Sequence, residues 1–380
     1  MNKRRIKYIG YYSRPEIKPE RLIPLAGRNK MDYTISVLER IFDDIEIISP
    51  AYTKRGERGC SSSVTKISEK TRFKLFSMFR NSNRFISRVN DALVRLKLFW
   101  YLLNNTEKDG YVLVYHSLAI INTILLAKKI RKFKLILELN EIYSDVSSLV
   151  AHKRESELKI INAADAFMFA NDQLNTMFNL RNLPYVVEYG CYAPKKHKVD
   201  KFDDGKIHVV YAGTFDPMKG GAVAAVNMAN YLDDNYHVHI LGFGNKEQIE
   251  EIVRIITSVD KSGKCKITYD GQLDGEDFIT FLQKCHIGLS TQDPKDAFNA
   301  TSFPSKILTY LANGLQVVSI DIPAVSDSKI SEIITFYKDQ TPEAIAAAIK
   351  EIKVFKSHEP LLIQLDKDLT SDMKSMFEAL

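Results

Sequence analysis

Short apolar runs separated by helix-patterned segments are the feature that most restricts what this chain can fold into. "IKYIGYY", "IEIIS", "YVLVYHS", "KLILELN", "AFMFA" and "YVVEYG" follow one another through the first half. After a polar, charged bridge, "APKKHKVDKFDDGK", a second series opens with "IHVVYAG" and continues through "HVHILGFG", "KITYDG", "IGLST" and "LQVVSI". Runs of this kind suit strands buried on both faces, and the helical segments between them supply the crossovers that parallel strands need. The expected architecture is α/β, two domains of three layers each with parallel strands. Residues 1–193 make the first domain, 194–206 a linker and 207–360 the second. Residues 361–380 read as a last amphipathic helix. With 380 residues there is chain enough for two cores.

The formal net charge of +6 is mild, but its distribution is uneven. Residues 54–97 read as a basic insertion in which Arg72, Lys74, Arg80, Arg84, Arg88 and Arg95 alternate with Phe73, Phe76, Phe79 and Phe85. Such a stretch suits peripheral contact with an anionic membrane, or a solvated helical insertion whose phenylalanines pack on their own domain. It carries no pattern of a nucleic-acid-binding module, and no nucleic-acid partner is expected. Cys60, Cys191, Cys265 and Cys285 are scattered without CxxC spacing, which points to neither a zinc site nor a disulfide framework. A cytoplasmic protein is expected, at the inner face of the cell membrane if the basic segment docks there. No apolar window approaches the length of a membrane span.

Three strand-to-helix turns in the second half are suited to anions. "YAGTFDPMKGG" places Gly213, Thr214 and Lys219 after the first strand, and "LGFGN" places Gly242 after the next. "FPSKILTYLANG" opens a helix with Phe303, Pro304, Ser305 and Lys306, where Ser302 is expected to cap and Pro304 to fit the first turn. Free amides and a positive helix end attract phosphate, and in a doubly wound sheet such turns gather beyond the carboxyl ends of the strands. None has the GxxxxGK[ST] form of a nucleotide hydrolase, and a diphosphate held without hydrolysis is expected.

With these motifs in place, the chain resembles the GT-B fold retaining glycosyltransferases, the sugar-nucleotide-dependent enzymes that build bacterial capsule, O-antigen, exopolysaccharide or protein-linked glycans. The resemblance implies two Rossmann-like domains facing across a cleft, with the last helix packing back on the first. It implies transfer of a hexose from a nucleotide diphosphate sugar, a UDP-sugar foremost, to a saccharide acceptor on a lipid carrier or a glycoprotein. It implies that Gly213, Thr214, Lys219, Gly242, Phe303, Ser305, Lys306 and Thr309 face the donor, with Gly271 in "YDGQL" beside the base. No metal and no other cofactor is implied. His116, at the end of "YVLVYHS", is then the histidine facing donor sugar and acceptor, with Glu141 in "LELNEIYSD" or Asp145 beside it. Asn29 and Lys30, with Gly27, take the acceptor side. Many members carry two glutamates around the "YLANG" helix, and those positions are Thr301 and Thr309 here. The replacement keeps two alternatives open, a non-catalytic nucleotide-sugar-binding subunit of a partner transferase and a sugar-nucleotide epimerase of the same fold. Homo-oligomerisation is left open.

Overall fold

The computed structural model describes residues 3–17, 20–23, 25–146, 148–216, 220–263, 265–292, 299 and 301–380. It divides into two compact units, Met1–Gly190 with Lys367–Leu380, and Cys191–Asp366.

Among the described residues, the first unit holds eight strands: β1 (Arg5–Ile9), β2 (Asp44–Ser49), β3 (Ser63–Lys66), β4 (Thr71–Leu75), β5 (Tyr111–Tyr115), β6 (Lys134–Leu139), β7 (Ala166–Phe169) and β8 (Tyr185–Val187). Their order across the sheet is β3-β4-β2-β1-β5-β6-β7-β8. All pairings are parallel except that of β3 with β4. Ile9, Val112, Val114, Leu135 and Leu137 are buried in the core beneath the helices, the continuous apolar pattern of strands covered on both faces. The chain winds outward from β1 in both directions, so the sheet reverses between β1 and β5.

The basic segment is not a helical insertion. Its middle forms β3 and β4, and β4 pairs with β2 inside the main sheet. The alternation of Phe73 and Leu75 with Arg72 and Lys74 is the period-two signature of that strand, with the apolar pair buried and Arg72 exposed. Phe76 and Met78 are buried as well, whereas Phe79 and Phe85 face solvent. The remainder enters the helix Arg84–Asn105, started by Asn83, whose side chain accepts from the Ile86 N–H at 2.9 Å.

The second unit has β9 (Ile207–Thr214), β10 (Tyr236–Phe243), β11 (Lys266–Gly271), β12 (Ile287–Ser290), β13 (Gln316–Ile320) and β14 (Ile334–Tyr337). They form an all-parallel sheet in the order β11-β10-β9-β12-β13-β14, with the reversal between β9 and β12. The sequence reading missed β14, a four-residue strand that exists because it pairs with β13. The polar bridge is bound to this unit. The Lys195 N–H donates to the Ala312 carbonyl at 2.8 Å, and Gln283 closes on both the Lys198 N–H and the Lys196 carbonyl at 3.0 Å.

The last helix, Glu359–Glu378, delivers Phe377 to the first unit. Its ring meets Phe42 edge-on at 4.8 Å and Tyr111 at 5.3 Å. A fully buried phenylalanine contributes about 1.5–3 kcal/mol, enough to hold this end of the chain.

Candidate functional site

In the second unit, three glycine turns close β9, β10 and β11 side by side. Gly242 pairs with Gly213 across one ladder, and Gly271 with Leu241 across the next. A Cβ on Gly242 would run into the carbonyl oxygen of Gly213, so these two turns stand in backbone contact that a larger residue would break.

Lys306 reaches this row from the following helix, Lys306–Ala312. Its Nζ stands 4.2 Å from the centre of the Tyr211 ring and 3.0 Å from where a Cβ on Gly213 would lie. Tyr310, fully buried on the same helix, accepts a 2.8 Å hydrogen bond from the Ala212 N–H through its hydroxyl. The helix is thereby tied to the end of β9, and its first residue is presented to the glycine row. The Tyr211 hydroxyl donates to the Thr214 carbonyl at 3.3 Å. Gly213, Thr214, Gly242, Gly271 and Lys306 are brought together at the carboxyl ends of adjacent strands. Lys219 lies outside the described residues.

The helix start differs from expectation. Ser305, not Ser302, precedes the first helical residue, with helical backbone angles and no side-chain cap. Pro304 lies outside the helix, and its carbonyl accepts from the Ile307 N–H at 3.0 Å. Proline disfavours the helical region for the residue before it, which opposes extension of the helix back through the buried Phe303. Thr309 turns its hydroxyl back to the Ser305 carbonyl at 3.2 Å. Thr301 is buried, and among the described residues its hydroxyl oxygen meets no hydrogen-bond partner.

In the first unit, a cavity of about 400 Å³ opens at the sheet reversal, beyond the ends of β1 and β5. Tyr11, Tyr52, Tyr115 and Tyr143 line it, with Gly27 and His116 among the other wall residues. Among the described residues its wall carries no lysine, arginine, aspartate or glutamate. His116 stacks on Tyr143 with ring centres 5.1 Å apart. Both its ring nitrogens are buried, and among the described residues neither makes a hydrogen bond of good geometry, although the Glu141 backbone also acts on the ring. Burial holds the imidazole well below its ordinary range, against the opposing pull of Glu157, whose Oε1 lies 3.5 Å from Nε2. Glu157 also accepts from the Tyr143 N–H at 2.9 Å and the Ser144 N–H at 3.2 Å. The carboxylate facing the His116 ring is therefore Glu157. Glu141 is half-buried and acts on Tyr143 by its charge, and the Asp145 side chain lies outside the described residues.

Asn29 is exposed and is not among the cavity residues. Lys30 donates to the Asn140 side chain and, at 3.1 Å, to the Glu188 carbonyl. Beside it lie two fully buried carboxyls. Glu138 accepts from the Tyr8 hydroxyl and from Asn140 at 3.2 Å, and Glu188 accepts from the Thr34 hydroxyl at 3.2 Å. Burial pushes both carboxyls upward, while the Lys30 charge pulls them down.

Sequence reading passed over Tyr211, Tyr310 and Glu157 as site residues. The tyrosines lie inside quoted motifs, where an aromatic beside a cationic helix start was available as a signal. Glu157 sits in an ordinary amphipathic helix, Arg154–Ala163, and nothing in its spacing marks it as buried.

Residues 206–353 match the family model of glycosyl transferases group 1. The matched stretch, less than half of the chain, is similar to a group 1 glycosyltransferase domain. It contains the glycine row, Tyr211 and Lys306, and it gives the chain the enzyme class expected from its sequence. Solved structures share the fold along the whole chain. The E. coli trehalose-6-phosphate structure bound with UDP-2-fluoro glucose is 9% identical, with 98% of this chain and 97% of that one covered and a TM-score of 0.64. Anabaena HepE in complex with UDP and glucose is 13% identical over 100% of both chains, with a TM-score of 0.63. A glycosyltransferase from Rickettsia africae is 14% identical, covering 99% and 94%, with a TM-score of 0.58. At these identities the likeness is one of fold, the GT-B fold. Comparison with curated proteins finds no match.

Proposed function

We propose that this chain transfers a hexose from a nucleotide diphosphate sugar, a UDP-sugar foremost, to a saccharide acceptor on a lipid carrier or glycoprotein, with retention of configuration. One observation carries the reading. Lys306 Nζ stands at the Gly213 turn, at the carboxyl edge of a doubly wound sheet and inside the stretch that matches the group 1 family. Glycosyl transfer places its developing negative charge on the departing diphosphate, and a fixed cation beside open backbone stabilises that charge as it forms. Two of the similar structures hold UDP or a UDP-sugar, which supports the choice of donor base. The leaving group is held by side chain and backbone, with no metal in the chemical step.

The first-unit cavity takes the acceptor. Its tyrosine rings offer flat apolar faces to the C–H faces of a sugar, and His116 lies in the same wall, where its ring can meet a hydroxyl.

The enzyme works at the cytoplasmic face of a membrane, touching anionic lipid through the helix Arg84–Asn105. Phe85, Arg88, Leu96 and Trp100 are all exposed at helical spacing on that helix. Leu96 also shares a surface groove with the exposed Leu126 of the neighbouring helix Ile121–Arg131. Among the described residues no helix is long and apolar enough to cross a membrane.

The reading is tested by calorimetric titration with UDP-, GDP-, ADP- and dTDP-sugars, followed by product analysis with the tightest donor and a panel of saccharide acceptors. Binding of one donor and acceptor-dependent release of its nucleotide is the expected result. Binding without transfer to any acceptor returns the chain to the role of a non-catalytic partner subunit.

A further inference from the structure

Five residues before Gly213, at the opposite end of β9, the second unit gathers a group of histidines that the donor site does not use. His208 on β9 is the register partner of His237 on β10, and His239 follows two residues later on the same face of that strand. All three are buried, and one ring nitrogen from each lies within 4.8 Å of the others. A His-x-His pair on one strand with a third histidine beside it on the next is an arrangement that presents imidazoles to a common point.

The outer hydrogen bonds identify which nitrogens are left. His208 Nε2 stands 2.8 Å from Asp204 Oδ1, and His239 Nδ1 stands 3.0 Å from Asp270 Oδ2. An ionised carboxylate only accepts, so both of these nitrogens carry the ring hydrogen. His237 Nε2 stands 3.1 Å from the Thr268 hydroxyl, whose own hydrogen goes to Asp270 at 2.8 Å. That bond likewise places the His237 hydrogen on Nε2. Each neutral ring is thus anchored on one side by an oxygen and keeps a lone pair on its other nitrogen. Histidines that bind metals are held in this way, with the second nitrogen donating to a carboxylate or hydroxyl that fixes the ring.

The inner geometry then poses a problem that a cation solves. His208 Nδ1 and His239 Nε2 face each other at 2.8 Å, and with both outer hydrogens committed the two lone pairs oppose one another. We propose that His208, His237 and His239 form a binding site for a divalent transition metal of zinc type, which joins β9 to β10. Three neutral imidazoles are a ligand set that zinc accepts, with water in the fourth position, and the carboxylates of Asp204 and Asp270 offset the ionic charge. Tetrahedral Zn–N bonds of about 2.0–2.1 Å set ligand nitrogens about 3.4 Å apart, so the 2.8 Å pair has to open by about 0.6 Å. Small rotations of the two rings accomplish this.

The site lies within the donor unit but apart from the donor turns. His239 is three residues before Gly242, about 10 Å along the strand. Asp270 directly precedes Gly271, so the ion braces β11 as well through the His239–Asp270 bond. The role is structural, and the proposal does not depend on which sugar the enzyme transfers.

The experiment uses the full chain without a histidine tag, stripped with a chelator and titrated with Co2+ and then Zn2+. One equivalent of Co2+ should produce the intense visible bands of a tetrahedral nitrogen-ligated ion, and Zn2+ should bleach them. Elemental analysis after desalting should return one zinc per chain, and Tm should rise by about 5–10 °C at zinc near 100 times its Kd. The H237Q and H239Q variants should lose the bands, while H152Q, at an exposed histidine, keeps them. Absence of tetrahedral bands and of retained zinc in the wild-type chain overturns the proposal, whether or not the variants fold. So does a spectrum unchanged in folded H237Q and H239Q.

Discussion

Lys306 lies over the ring of Tyr211, with its Nζ 4.2 Å from the ring centre, and this contact points the amine at the Gly213 turn. A cation held by an aromatic face keeps its charge while giving up rotational freedom. The arrangement is pre-set for a ligand with negative oxygens.

Lys306→Ala should therefore weaken UDP-sugar binding by about 10- to 100-fold, the value of a hydrogen bond to a charged group at about 1.5–3 kcal/mol. Gly213→Ala should act in the same direction, because its new methyl group would lie 2.9 Å from the Tyr211 hydroxyl and 3.0 Å from Lys306 Nζ, inside van der Waals contact, and would push the lysine away. Calorimetric titration measures both. Wild-type affinity in Lys306→Ala would remove the lysine from the donor site.

Glu157 accepts two backbone N–H bonds besides facing His116. Glu157→Ala leaves both amides without their partner and should cost about 2–4 kcal/mol in urea unfolding. Glu157→Gln keeps one accepting oxygen and should cost clearly less. Equal losses in the two variants would mean that the hydrogen bonds are not what the side chain supplies.

Buried groups tie stability to pH with opposite signs. Burial keeps His116 neutral in the folded chain, whereas the unfolded chain takes up a proton below its ordinary value of 6.5. The unfolded state then binds more protons, and stability drops as pH falls through that window. Glu138 and Glu188 are shifted the other way, so above the ordinary 4.5 the folded chain holds protons that the unfolded one releases. Stability from these carboxyls drops as pH rises. Glu188→Gln should flatten the alkaline side of a Tm-against-pH curve and His116→Asn the acid side. A Glu188→Gln curve parallel to wild type between the ordinary 4.5 and about 8, the value to which burial raises Glu188, would show that this carboxyl does not titrate differently on folding.

The exposed Leu96 and Trp100 should matter for lipid contact and hardly at all for folding. The double change Leu96→Glu and Trp100→Glu adds two negative charges and removes two apolar side chains from that face. It should abolish co-sedimentation with anionic vesicles at unchanged Tm. Equal, negligible sedimentation of wild type with anionic and neutral vesicles would dismiss the membrane contact.

The parallel sheets were legible because strands covered on both faces need unbroken apolar runs, and "YVLVY" or "IHVVY" has few other uses in an α/β chain. Strand β14 and the edge pair β3–β4 were not, since their short segments become strands only through a paired neighbour. Glycines 213, 242 and 271 could be read singly as turns. Their alignment is a matter of ladder register, which no local pattern states.

By itself, then, the sequence determined the α/β class, the two series of strands and the phosphate-suited turns, because these follow from hydrophobic period and from backbone chemistry local to a few residues. Only the tertiary structure decided that Lys306 meets Gly213 across 93 positions of chain, that Glu157 rather than Glu141 faces the His116 ring, and that three histidines from two strands share one point. Contacts between distant residues depend on strand order and register, and those are settled by the packing of the whole sheet.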